Sequence, residues 1–166
     1  MARSAAAAAF EEMLAELGVD ERDPEIGGAR SLGRRAALLA VAGTVWRRHL
    51  GPLLDTKQVA ELLRVGTRQA VSDRVKRHRI LALPTGERDL AYPAFQFTEK
   101  GQPYAAMATV LEAFAPARLS PHTIASWFVT PQPELDEATP AEWMAEGHEA
   151  ERLVLAARRT AARTSQ

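Results

Sequence analysis

A cluster of basic side chains occupies residues 64–79. Six lysines and arginines lie in this stretch beside one acid, Asp73. Cations at this density can neutralise phosphates and release the counterions that a nucleic acid carries. Arginine and glutamine can also read base edges, arginine at guanine and glutamine at adenine. The side chains that we predict to face DNA, one of them beyond this stretch, are Thr67, Arg68, Gln69, Ser72, Asp73, Lys76, Arg77 and Arg88.

These side chains need a helix that presents one face outward. Thr67 can cap such a helix by accepting a backbone N–H that would otherwise lack a partner. Ala70, Val71 and Val75 then fall on the opposite, inner side. The sequence therefore predicts a short helix after Thr67 with its polar face exposed.

A first helix of similar length is predicted just upstream, capped by either Asp55 or Thr56. Apolar residues between positions 59 and 63 recur at the spacing of one helical face, and residues 64–66 interrupt the pattern. Two short helices joined by a tight turn have the layout of a helix-turn-helix, whose second helix enters the major groove of DNA. An ordinary solvated helical face is the alternative interpretation of the same residues.

This region resembles the helix-turn-helix of prokaryotic regulators, which often contain the pattern L-x-T-x-x-(V/A)-A-x-L-L-G-V-S-R-Q-A-V. The matching segments are residues 54–63 and residues 68–72. The chain departs from the pattern at the turn, where Arg64 replaces the usual glycine and Gly66 replaces the usual serine. Either the turn is shifted, or Gly66 and Thr67 share the capping of the second helix.

A β-hairpin is predicted beside the second helix, over residues 80–93. A short apolar run ends at Pro84, turn residues follow, and residues 90–93 can return antiparallel. A hairpin in this position is called a wing, and Arg88 at its tip could reach a phosphate or the minor groove. A simple exposed turn arginine explains Arg88 equally well. The aromatic residues that follow, Phe95 and Phe97, are expected to pack the hairpin against the helices.

Charge is segregated along the chain although the formal net charge is zero. Residues 56–100 contain nine lysines and arginines against five acids. Residues 1–55 contain seven against eight, and residues 101–166 contain five against eight. A basic middle between acidic ends indicates different partners for different segments. With 166 residues and 46% hydrophobic content, the chain can bury a core in one or two small domains.

Residues that could support catalysis or bind a metal are sparse. Cysteine is absent, which excludes disulfides and favours a reducing cytoplasm. The four histidines lack the spacing of metal ligands, and no phosphate-binding glycine loop or nucleophile–base set occurs. We therefore expect no catalytic residue, no metal, no cofactor and no enzymatic activity. The longest apolar stretch, residues 36–46, is too short to span a bilayer, and the alanine-rich start lacks a signal-peptide cleavage pattern, so we expect no membrane association.

Helix start and stop signals divide the later part of the chain into four predicted helices. Ser120-Pro121 and Thr139-Pro140 are start signatures, each a cap followed by proline in the first turn. Glu142 can complete a capping box, and Gly147 ends that helix. The predicted fold class is mainly α, with a helix-turn-helix, a small β-hairpin wing and a compact all-α bundle.

Three domains follow from these elements, with residues 98–103 as a linker between the last two. Earlier helices are predicted over residues 4–17 and from Ser31 to about Leu50, where Gly51-Pro52 stops the helix. The predicted domains are an N-terminal support or dimerisation arm over residues 1–50, a helix-turn-helix domain with its wing over residues 51–98, and a helical domain over residues 104–163.

The helical domain resembles the toxin-binding domain of the Xre/MbcA/ParS antitoxin family. Members of that family carry a W-x-x-x-P-x-P-x-L run, then T-P-x-(E/D)-x-L-x-x-G, and a terminal helix. The usual glycine before the Thr-Pro pair is missing here, where residues 136–138 are Asp-Glu-Ala. The whole resemblance extends over roughly residues 53–160. The residues at matching positions are Trp127, Pro131, Pro133, Leu135, Thr139, Pro140 and Gly147.

This resemblance implies an antitoxin of a type II toxin–antitoxin system. Such a protein binds and neutralises a toxin encoded beside it, commonly of the RES-domain class that consumes NAD, and often represses its own operon. The implied partners are the cognate toxin and operator DNA. A homodimer is the default for a helix-turn-helix protein that reads paired half-sites. Trp127 is expected in the domain's own core, and the residues proposed to contact the toxin are Trp143, Leu153, Leu155, Arg158, Arg159 and Arg163.

Two alternatives stay open from the sequence. The first is a stand-alone helix-turn-helix transcriptional regulator whose C-terminal half dimerises or binds another protein. The second is a helical adaptor whose basic helix binds an acidic protein rather than DNA.

Overall fold

The computed structural model describes residues 44–85 and 89–164 of the chain. Its described part is mainly helical, with a small three-stranded antiparallel sheet, as the predicted fold class requires at this coarse level. Residues from Arg47 onward form one compact unit, and nearly all of the unit before it lies outside the described residues. The predicted helix over residues 4–17, most of the one that follows it, and the wing tip with Arg88 also lie outside the described residues.

Helix α1 (Thr56–Leu62) forms where the first short helix is predicted. Of the two candidate caps, the structure selects Asp55. Its carboxylate accepts a hydrogen bond from the Gln58 N–H at 2.8 Å, and the Asp55 N–H donates to Gln58 Oε1 at 2.8 Å. This reciprocal capping box satisfies two backbone donors that the first turn leaves without partners.

Helix α2 (Arg68–Lys76) is the second predicted short helix. The Thr67 hydroxyl caps it by accepting from the Ala70 N–H at 3.2 Å. Val71 is fully buried on its inner side, and Val75 is partly buried against the same core. The predicted inner face is therefore present, with Ala70 only half-buried at its edge.

The sheet has the order β1-β3-β2, with β1 (Leu53–Leu54), β2 (Leu83–Pro84) and β3 (Leu90–Pro93). The antiparallel pair β2–β3 is the pairing that the sequence predicts, and Leu83 lies opposite Ala91. Strand β1 is not predicted from the sequence, because two residues are too few to show the alternation of apolar and polar side chains that marks a strand. It pairs with the other edge of β3, with Leu54 opposite Tyr92.

A single apolar cluster joins the two helices to the sheet. Its residues come from both helices, from the segment after α2, from β3 and from the segment that follows β3. Burying them removes apolar surface from water, which is the main stabilising term for so small a set of elements. The buried members are Val59, Leu63, Val71, Ile80, Ala82, Tyr92 and Phe97.

Gln96 is a fully buried polar residue beside this cluster, at the end of the short 3-10 turn Ala94–Gln96. Its Nε2 donates to the carbonyls of Leu81 at 2.9 Å and Pro93 at 3.0 Å. Its Oε1 accepts from the Leu81 N–H at 2.7 Å. One amide therefore connects the chain that leaves α2 to the chain that leaves β3.

Residues 98–103 form an ordered turn, so the prediction of a linker there is wrong. The Thr98 N–H donates to Gln102 O at 2.7 Å, and the Gly101 N–H donates to Thr98 O at 2.8 Å. Gly101 is buried with φ of +77°, and a Cβ at this position would lie 2.7 Å from Leu62 O. Only glycine fits there, because the turn packs directly on the end of α1.

The four helices predicted for the later part of the chain are all present. Within the described residues, none of the helices combines the length and the apolar content needed to cross a bilayer. The helices are α3 (Met107–Phe114), α4 (Pro121–Phe128), α5 (Pro140–Ala145) and α6 (Ala150–Thr164).

The caps predicted for these helices are confirmed. Ser120 Oγ accepts from the Thr123 N–H at 3.1 Å at the start of α4. At the start of α5, Thr139 Oγ1 accepts from the Glu142 N–H at 3.2 Å, and the Thr139 N–H donates to Glu142 Oε2 at 2.9 Å. The hydrogen bonds from Thr139 lower the pKa of Glu142, because they favour its charged form.

Aromatic packing unites the parts of the chain on either side of the Gly101 turn. Trp127 is buried, as predicted, with its ring edge-on to Phe114 at 5.0 Å and to Phe128 at 5.2 Å. Phe95, which follows β3, lies 5.2 Å from Phe128 of α4. The two predicted domains therefore share a packed boundary.

We predict that Gln96→Leu lowers the free energy of unfolding by about 2–4 kcal/mol, because it leaves the buried peptide groups of Leu81 and Pro93 without partners. Urea denaturation followed by circular dichroism measures the change. Gln102→Leu is the matched control at an exposed position, where we expect a change within about 0.5 kcal/mol. Equal midpoints for the two variants would contradict the role assigned to Gln96.

Candidate nucleic-acid interface and C-terminal surface

The outward face of α2 carries most of the residues predicted to face DNA. Thr67, Arg68 and Gln69 are exposed at its start, and Lys76 and Arg77 are exposed at its end. Ser72 and Asp73 are half-buried between these two groups. The structure thus brings seven of the eight predicted residues onto one helix and its flanks, while Arg88 lies outside the described residues.

Two polar contacts organise this face. Gln69 Nε2 donates to Asp73 Oδ1 at 2.8 Å, one turn further along the helix. This bond holds the Gln69 side chain along the helix and makes Asp73 its partner. Arg74 NH1 donates to Ala70 O at 3.0 Å, so its guanidinium lies along α2.

Positive charge is concentrated at the carboxyl end of α2. Lys76, Arg77, His78 and Arg79 are consecutive and exposed. Cations here interact favourably with the negative end of the helix dipole, which supplies a structural reason for part of this charge. The same exposed cations are also available to phosphates.

The turn before α2 has one residue more than the regulator pattern, with residues 64–67 between the Leu-Leu pair and the Arg-Gln-Ala-Val run where the pattern has three residues. Arg64 has φ of +55°, the left-handed conformation that the usual glycine would adopt. Gly66 is not in that region, and Thr67 alone supplies the side-chain cap of α2. Thr67 therefore caps α2 alone, one residue later than the serine of the pattern, so the turn is shifted and the capping is not shared.

On the C-terminal surface, Leu153, which is predicted to contact a partner, has no exposed surface. Trp143 is also buried, with 6% of its surface exposed. Its Nε1 donates to Glu149 O at 2.9 Å, the His148 ring lies 4.4 Å away, and Arg152 lies 5.0 Å over the indole ring. Leu153 and Trp143 are therefore core residues that pack beneath the side chains of the C-terminal surface.

Arg152 is a residue of this surface that the sequence reasoning missed. It donates two hydrogen bonds to the Asp136 carboxylate, at 2.8 and 2.7 Å. The bidentate contact lowers the pKa of Asp136 and raises that of Arg152, because each group stabilises the charge of the other. The sequence does not predict this contact, because Arg152 and Asp136 are 16 residues apart. Asp136 also belongs to the segment in which the antitoxin family usually has a glycine.

That loop repeats the geometry seen at Arg64. Asp136 and Glu137 have φ of +56° and +64°, so two consecutive non-glycine residues occupy the left-handed region. The arginine contact fixes the first of them. Together with Trp143 and His148, this loop borders an open groove of about 430 Å³ on the C-terminal surface, which we call the tryptophan groove.

The remaining predicted contact residues lie on α6. Arg163 NH1 is 3.6 Å from Glu134 Oε1, so this arginine contributes to the fold of the domain. Arg158 and Arg159 are exposed, and Leu155 is 48% exposed, a high value for a leucine. These three side chains and the exposed side chain of Arg163 are available for contact.

Comparison with known proteins gives a match to one solved structure. No family model matches the chain, and no curated protein matches it. The structure described as "NMR structure of Rv2175c" is similar, with a TM-score of 0.57 and 25% sequence identity. The similarity covers 66% of this chain and 81% of that chain. Most of the described fold therefore has a counterpart in a solved structure.

We predict that Arg64→Gly raises the free energy of unfolding by roughly 0.5–1 kcal/mol, because glycine avoids the cost of a side chain in the left-handed region. Arg77→Gly is the control, since Arg77 ends α2 at φ of −92°. There the added backbone freedom should destabilise the protein by up to about 1 kcal/mol. Denaturation curves showing the same sign for both variants would contradict the account of the turn.

Proposed function

We propose that this protein is a DNA-binding transcriptional regulator, with α1 and α2 acting as a helix-turn-helix and α2 as the reading helix. The observation that carries the proposal is the exposed face of α2, with Arg68 and Gln69 at its start and four consecutive basic residues at its end. Helix-turn-helix proteins contact base edges with the first residues of the second helix.

The dimensions of α2 fit this role. It has nine residues, a length of about 13 Å at 1.5 Å per residue. The diameter of an α-helix with its side chains, about 10–12 Å, matches the width of the major groove, about 12 Å. Because Val71 is anchored in the core, the opposite face is presented outward as a fixed surface.

The charges divide naturally into two roles. Arg68 can donate two hydrogen bonds to guanine, and Gln69, held by Asp73, can present its amide to adenine. The cations Lys76, Arg77 and Arg79 suit phosphates, which position the protein without reading sequence. The antiparallel pair β2–β3 would serve as the wing, with Arg88 beyond it as a further phosphate contact.

We predict that Arg68→Ala weakens binding to the operator by about 1–3 kcal/mol and has a smaller effect on random duplex, because a base contact is lost. Arg79→Ala should weaken both duplexes similarly and reduce the salt dependence of binding by about one counterion. Fluorescence anisotropy with selected operator and scrambled DNA, over a range of salt concentrations, measures both effects.

Arg159→Ala is the control for a general loss of charge, because Arg159 is exposed on the C-terminal helix α6. It should leave both affinities close to those of the wild type. Wild-type protein that binds no selected duplex at low salt would overturn the proposal. If Arg68→Ala lowered the affinity for operator and random DNA equally, Arg68 would not contact a base.

An antitoxin that neutralises a RES-type toxin, and represses its own operon through α2, is the second candidate. The tryptophan groove favours it, because this groove is built from the segment that resembles the toxin-binding family. Arg152, which lies over the Trp143 ring and borders the groove, is the kind of residue that dominates the affinity of protein interfaces.

We predict that the untagged protein co-purifies with the tagged product of a RES-type gene beside its own, and that co-expression restores growth. Arg159→Glu should weaken this complex, because it places an acid at an exposed site of the proposed contact. Arg118→Glu is the matched charge reversal elsewhere and should have no effect. Absence of any complex with the wild-type chain would remove the antitoxin candidate and leave DNA binding untouched.

A further inference from the structure

Helix α6 presents apolar surface that no described residue covers. Leu155 is 48% exposed, and Val154 beside it is half-buried. Both border an open groove of about 550 Å³ between the starts of α3 and α6. The walls of this groove on the α3 side are small residues, Ala105, Ala106 and Thr109, which allow another helix to approach closely.

The charges beside Leu155 are arranged along one face of the helix. Glu151 precedes Leu155 by four residues, and Arg158 follows it by three, so all three lie on the same side of α6. Both charged residues border the groove and are exposed. Ala162, exposed one turn further along, continues this face with a small side chain.

We propose that a second copy of this chain binds at this face, with the two α6 helices antiparallel across a two-fold axis. An axis between Val154 and Leu155 places Leu155 opposite Val154 of the partner subunit. It also places Glu151 opposite Arg158 of the partner subunit, and the symmetry creates this ion pair twice. The face is therefore complementary to itself, as a two-fold interface requires.

Self-complementarity is the reason for choosing a second copy over another protein. Glu151 and Arg158 lie at equal distances from the proposed axis. A two-fold rotation about this axis therefore pairs each acid with a base, and neither charge is left without a partner. A parallel arrangement would place Glu151 against Glu151 and Arg158 against Arg158, and like charges across an interface are unfavourable. The exposed leucine at the centre supplies the apolar contact that the flanking ion pairs surround.

This dimer would serve the proposed function, because helix-turn-helix dimers read two half-sites about one helical turn apart. The inference rests on that function for its biological use, whereas the dimer itself is measured without DNA. Its test therefore separates the two. A monomer that binds operator DNA would overturn the dimer alone, and a dimer that binds no DNA would overturn the proposed function alone.

The experiment is sedimentation velocity of the full chain over a range of concentrations, with charge-reversal variants. We expect a wild-type dimer. Glu151→Arg or Arg158→Glu should each raise the dissociation constant at least about tenfold, because one change replaces both ion pairs with like-charge contacts. The double variant, with both charges exchanged, should return the dissociation constant to within a few-fold of the wild type.

Glu99→Arg is the control, since it reverses an exposed acid in the Gly101 turn, away from the groove. It should not change the dissociation constant, and circular dichroism should show all variants folded. A wild-type monomer at every concentration would overturn the proposal. So would a dimer that both single reversals leave intact, or one that the double exchange fails to restore. A complex with the toxin that requires Leu155 and excludes self-association would assign this face to the toxin instead.

Discussion

The side-chain amide of Gln96 is the contact on which the arrangement of α2 and the sheet depends. A nine-residue helix is too short to be stable alone, so tertiary contacts must hold α2 in place. Gln96 binds the backbone of Leu81 just after α2 and the end of β3 at Pro93. In an apolar surrounding these bonds have no competition from water, so the orientation of α2 relative to the sheet is fixed.

The aromatic boundary extends this fixed arrangement to the rest of the described unit. Phe95 leaves the sheet and packs on Phe128, whose neighbour Trp127 lies in the core of the C-terminal helices. A partner bound at α6 would therefore hold α2 through packed side chains rather than through a flexible tether. In a dimer, such rigidity would set the separation of the two reading helices, and hence the spacing of half-sites on DNA.

Much of the described fold could be predicted because its signals are local. Asp55, Ser120 and Thr139 cap helices through backbone groups three residues away, and such contacts are visible in sequence. Arg64 and Asp136 show the limit of this approach, since they hold left-handed conformations where the family patterns have glycine. Strand β1 depends on pairing with β3, and the bonds of Gln96 reach Leu81 across 15 residues, so neither has a local signature. The outward face of α2 was predictable because helical spacing determines it, whereas the burial of Leu153 depends on how α6 packs.

The turn at Gly101 restricts how this gene can recombine with others. A Cβ there would collide with the carbonyl of Leu62, so α1 and the turn that leads to the C-terminal helices meet at a position where no side chain fits. A recombination crossover near Gly101 would join residues before the turn from one protein to C-terminal helices from another. Phe95 or Phe128 would then lose the aromatic ring on which it packs. Descendants of this chain are therefore expected to acquire new operators or new protein partners by point substitution on the outer faces of α2 and α6, while inheriting both halves together.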